Sequence, residues 1–137
     1  MSIDRLAAER AQAVVHRARG VAEADALDNT VTKTLGVLQE NGVYAAFLFL
    51  LSRTDTEKPR AEIVRGEALQ LLGAMGFAWD GERAPASSEQ VLSYVTSKVT
   101  AGDTPEALER QMLAKDALEQ MLTYARYGAK AWSAETA

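Results

Sequence analysis

Residues 35–53 read LGVLQENGVYAAFLFLLSR, and the nine consecutive apolar residues within them, Val43 to Leu51, decide the fold class. A helix through this run is apolar around its whole circumference, so neighbouring helices are expected to surround it rather than cover one face. The run is too short for a bilayer, which takes roughly 18–20 apolar residues. It predicts the central helix of a compact all-α bundle of about five or six helices, a single domain over residues 1–137.

Flanking segments fit that bundle. A first helix is expected from Ser2 or Asp4 to Arg19, with Gly20 marking its end. The central helix should run from near Asp28 to Ser52, with Asp28 or Asn29 as cap, since Val31, Leu35, Leu38, Gly42, Ala45 and Phe49 recur at 3–4 spacing. Gly36 and Gly42 within it point to close packing or a kink. RTDTEKPR (53–60) reads as a polar connector, and a third helix follows over Ala61–Met75. After the loop FAWDGERAPASS, Ser87 or Ser88 caps a fourth helix that Gly102 closes. Its SYVTSKVT stretch has alternating β-branched residues, but the caps favour a short helix. The last helix starts at Asp103 or Thr104 with Pro105 in its first turn and reaches Trp132.

The length suits one domain with a real core. Apolar content of 47% and charged content of 25% are globular values. With no cysteine, disulfides, thiolate zinc sites and cysteine nucleophiles are excluded. The opening MSIDRLAAERAQ lacks the apolar core of a secretory signal, so a cytoplasmic protein without membrane attachment is expected. The net charge of −4 is unevenly spread: basic and acidic residues balance over 1–60, and the acidic excess lies wholly in 61–137. For binding a phosphate chain the local basic patch matters more than the sum.

Catalytic chemistry is sparse. The one histidine, His16, sits among arginines and reads as a solvated surface group. Asp116 and Glu119 on the last helix lack the Glu-x-x-His motifs of a carboxylate-bridged metal bundle. No phosphate-binding glycine loop or nucleophile elbow occurs. The reading is a non-enzyme that needs no cofactor or metal.

Positive charge is more informative. At 100° per residue, Lys115, Arg126 and Lys130 fall within about 60° on the last helix. Leu118, Met121, Ala125, Ala129 and Trp132 form the adjoining apolar sector, expected to face the core. The cations should then line an exposed edge, with Tyr124 and Tyr127 near enough to stack on a base. Glu119 lies in the same stripe and weakens its field. Further basic groups stand at helix ends or in the connector: Arg17 with Arg19, and Arg53 with Lys58 and Arg60.

Two segments together resemble the small subunit of the type III-B CRISPR effector complex, the Cmr small-subunit family. Its members carry an asparagine–glycine step, a phenylalanine-containing apolar helix and a Ser-Lys/Arg exit; here these are Asn41-Gly42, Phe47-Leu48 and Ser52-Arg53. The family's last helix has a pattern that KDALEQMLTYARYGA is similar to through Asp116, Ala117, Leu118, Met121, Tyr124, Arg126 and Tyr127. Lys115, Thr123 and Ala125 depart from it, standing where the family has threonine, tryptophan and lysine.

The resemblance implies a non-catalytic subunit that stacks beside neighbouring copies of itself, along the backbone and large subunits, and holds the path of CRISPR guide RNA and target RNA. Arg126 and Arg53 carry over by matching the family pattern. Lys115 and Lys130 join on helical-face geometry, and Arg19 and Lys33 complete the nucleic-acid-binding set. The competing readings are the small subunit of another CRISPR effector type, and a protein-only adaptor or homo-oligomerising module.

Overall fold

The computed structural model describes residues 1–136. Six α-helices occur among them: α1 (Ile3–Ala18), α2 (Ala24–Asn41), α3 (Val43–Leu51), α4 (Lys58–Ala74), α5 (Ser88–Tyr94) and α6 (Pro105–Thr136). α5 runs on into a π-helical turn, Val95–Val99. The long α6 packs along both α1 and α2, α1 also meets α4, and α3 lies against α2 and α4 with α5 at its side. The all-α class is as the apolar run predicts.

Helix starts follow local chemistry. Ser2 is extended and its Oγ accepts the Arg5 N–H at 3.2 Å. Ser87 and Gln90 form a full capping box, each side chain bonded to the other's backbone. Thr104 Oγ1 accepts the Ala107 N–H at 3.1 Å, and Pro105 occupies the first turn of α6, where its missing N–H leaves nothing unpaired.

The central helix is not continuous. Gly42 has φ of +96°, a left-handed conformation that side chains resist, and the chain turns there. No backbone bond is lost. The Gly42 N–H donates to Leu38 O at 2.9 Å and ends α2, and its carbonyl accepts the Ala46 N–H at 3.1 Å and opens α3. The apolar periodicity crosses the break unaltered, which is why the sequence reads as one helix. Asp28 and Asn29 are not caps either: α2 begins about one turn earlier, at Ala24, behind Glu23. Pro59, expected in the connector, lies in the first turn of α4.

α3 buries Val43, Ala46, Phe47 and Leu50, but Tyr44 and Leu48 remain exposed, so the helix is covered on most rather than all of its circumference. The expected core sector of α6 is fully buried: Leu118, Met121, Ala125, Ala129 and Trp132. The β-branched stretch after Tyr94 is helical, but not α-helical throughout. The Thr100 N–H reaches Val95 O at 2.9 Å, an i→i+5 bond, while the hydroxyls of Thr96, Ser97 and Thr100 bond back to carbonyls of that stretch. Such side-chain bonds compete with the regular ladder and help widen the turn.

One charged group lies in the core. Glu67 of α4 is buried, and its carboxylate accepts from Arg10 Nη1 at 2.9 Å and Arg17 Nη1 at 2.7 Å. The two arginines are two helical turns apart on α1, so this fork fixes how α1 sits on α4. Trp79 folds back on the bundle: a Cβ at Gly73 would come within 2.6 Å of its Cζ3, so only glycine lets the indole rest on the α4 backbone. Its ring meets Tyr94 edge-on, with centroids 6.3 Å apart. The Tyr94 hydroxyl donates to Phe77 O, and burial pushes its pKa up to about 12.

Candidate nucleic-acid interface

The six nominated cations fall into four places. Arg126 and Lys130, one turn apart on α6, converge on Asp28 of α2. Lys130 Nζ lies 3.1 Å from Asp28 Oδ2 and Arg126 Nε lies 4.0 Å from Oδ1. Thr32 Oγ1 donates to the same carboxylate at 3.0 Å. Asp25, a turn before Asp28, faces this end of α6 and accepts from Ser133 Oγ at 3.3 Å. The pair is together, as helical-face arithmetic requires, but two acids of α2 offset its charge. Arg126 Nε is buried with no hydrogen-bond partner, so its attraction to Asp28 is ionic only.

Arg53 and Lys33 come together elsewhere, around Glu57. Arg53 Nη1 is 3.6 Å from Glu57 Oε2, its Nε donates to Phe49 O at 2.9 Å, and its guanidinium lies 3.6 Å over the Phe49 ring. Arg60 joins them from the first turn of α4, its Nε donating to Thr30 Oγ1 at 2.7 Å and its Nη1 to Thr56 O at 3.2 Å. The Glu57 carboxyl is held below its usual pKa by the Thr54 hydroxyl first, then by the charges of Arg53, Lys33 and Arg60. Here three cations face one carboxylate. Lys33 and Lys58 are exposed beside it, although Asp55 is exposed there too. This edge, at the junction of α2, α3 and α4, carries the larger local positive excess.

Arg19 and Lys115 stand apart. Arg19 lies 3.5 Å from Glu135 and 5.4 Å from the Trp132 ring centre, committed to tying the end of α1 to the end of α6. It borders an open groove of about 630 Å³ between α1 and α6, which also takes in Gln12, His16 and Tyr124. Lys115 is half-buried on α6, about 16 Å along the axis from Arg126, and belongs to no ion pair among the described residues. The stripe of Lys115, Arg126 and Lys130 shares an angular sector without forming one cluster.

Of the two tyrosines expected to stack, Tyr124 is engaged: its hydroxyl donates to Asp4, and Gln120 Nε2 donates to it at 2.9 Å. Tyr127 is 63% exposed and keeps its ring face available. Arg60 is the residue that sequence reasoning grouped but did not nominate. Its link to Thr30 spans thirty positions, and only a helix-to-helix contact reveals it. No helix among the described residues is long and apolar enough to cross a membrane. No family model, curated protein or solved structure matches this chain.

Proposed function

We propose that this protein is a non-catalytic, RNA-contacting structural subunit of a type III-B CRISPR interference complex, acting in the cytoplasm alongside backbone and large subunits and copies of itself. The resemblance in the 35–53 and 115–129 segments supports the family. The observation that carries RNA contact is the gathering of Lys33, Arg53 and Arg60 around the single carboxylate of Glu57. A phosphate chain laid along this edge meets Lys33 and Lys58, whose amines are exposed, and the flanks of two arginines. Arg126 and Lys130 add a second contact, weaker because Asp28 already holds them. Both groups are anchored on α2, about 8 Å apart along its axis between Asp28 and Lys33. A protein-only adaptor is the second reading, favoured by the exposed apolar residues Leu108, Met112 and Leu113 on α6.

Salt dependence tests the assignment. Binding of single-stranded RNA by the purified subunit should be weak and fall steeply with salt, because every neutralised phosphate releases counterions. Replacing Lys33 and Arg53 by glutamine should lower the slope of log affinity against log salt by about 1.4, about 0.7 for each lost contact. The Arg126→Gln/Lys130→Gln pair should lower it less. Identical slopes for wild type and Lys33→Gln/Arg53→Gln would reject the Glu57 edge.

A further inference from the structure

The first three turns of α6 combine two features that the helix's own stability does not require. Leu108, Met112 and Leu113 are 49%, 67% and 47% exposed, an apolar cluster within six residues. Glu106, Glu109 and Asp116 are exposed around them and belong to no ion pair among the described residues. Glu106 in the first turn complements the positive end of the helix dipole. Glu109 and Asp116 lie beyond that turn and gain nothing from it. At 100° per residue the three acids fall within about 80°, and Glu109 and Asp116 lie between Met112 and Leu113 around the helix. Of the nearby cations, Arg110 is turned onto the Phe77 ring, 5.0 Å from its centre, and Lys115 lies on the far flank, beside Leu108.

We infer that this face docks a basic, amphipathic segment of another protein, its apolar side chains on Leu108, Met112 and Leu113 and its lysines or arginines against Glu106, Glu109 and Asp116. Charge selects the occupant. An RNA strand or an anionic surface is repelled by three unpaired carboxylates. A two-fold pairing with a second copy sets each flank against the same flank of its mate, bringing the acids onto one another. A basic partner relieves both the exposed apolar surface and the uncompensated charge. Residues 104–116 span about 18 Å, the length of three to four turns of a docked helix with anchors at i, i+3/i+4 and i+7. The inference stands apart from the RNA reading, since it concerns a different face and opposite charge.

The test is an NMR titration of isotope-labelled full-length protein with a synthetic helical peptide of about 18 residues, built from leucine and lysine in amphipathic order. Two controls are the same peptide with serine for leucine and one with glutamate for lysine. Shift changes confined to residues 104–119, persisting at high salt and absent with both controls, are expected. Leu108→Ser/Met112→Ser should weaken the affinity about tenfold while leaving the spectrum of the core unchanged. Both side chains are exposed, so the variant keeps its fold. Equal binding of the serine control, or unchanged affinity of the double variant, would overturn the inference. So would self-association of the free protein through the same residues, which would assign the face to a second copy.

Discussion

Replacing Phe47 by alanine is expected to cost about 3–5 kcal/mol of stability, a large part of what a domain of this size holds. Phe47 is only 1% exposed, and side chains of α2, α4 and α6, including Leu38, Val64 and Met121, line the space beside it, where a void of just 10 Å³ remains. No single element can move in to refill a deleted ring without leaving its own neighbours, so the cavity persists. Denaturant unfolding should show the loss as a lower midpoint at unchanged slope. Leu48→Ala, one residue along the same run but 46% exposed, should cost under about 1 kcal/mol. A Phe47→Ala loss no larger than that of Leu48→Ala would mean that α3 is not the centre of the core.

The second large effect lies at the buried carboxylate. Arg10→Ala/Arg17→Ala should destabilise by about 3–5 kcal/mol and lower the thermal midpoint by about 10 °C or more. The arginine side chains are 33% and 49% exposed and give up little packing. The penalty arises because Glu67, with its side chain 7% exposed, keeps a charge with no counter-ion. Adding Glu67→Leu to the double variant removes that charge and should restore most of the loss. Glu67→Ala alone should cost less, since both arginines can swing to water. A double variant as stable as wild type would show that the fork does not hold α1 on α4.

Much of this architecture is legible in the sequence for identifiable reasons. The apolar run at 43–51 and the buried sector Leu118–Trp132 follow from hydrophobic periodicity, and the Ser87–Gln90 box is a local signal. Glu67 leaves a trace as well: it falls between Ile63 and Leu71 on one helical face, where an acid interrupts an apolar stripe and implies a buried partner. That the partners are Arg10 and Arg17 depends on helix packing more than fifty positions away and leaves no local mark. The break at Gly42 is hidden because periodicity continues through it.

The candidate site divides the same way. Arg126 and Lys130 share a face by simple helical arithmetic, but their neutralisation by Asp28 joins residues about a hundred positions apart. The convergence of Lys33, Arg53 and Arg60 likewise depends on how α2, α3 and α4 meet. A sequence can nominate cations. Which of them keep a field at the surface is decided by the acids that the fold brings to them.

The most direct measurement is a pull-down of the tagged protein from its native host, with the captured proteins and RNA both sequenced. The account predicts backbone subunits together with repeat-derived guide RNA, and loss of RNA contact when Lys33 and Arg53 are neutralised while the protein assembly survives. A protein partner recovered with no RNA would contradict it and leave the adaptor reading in its place.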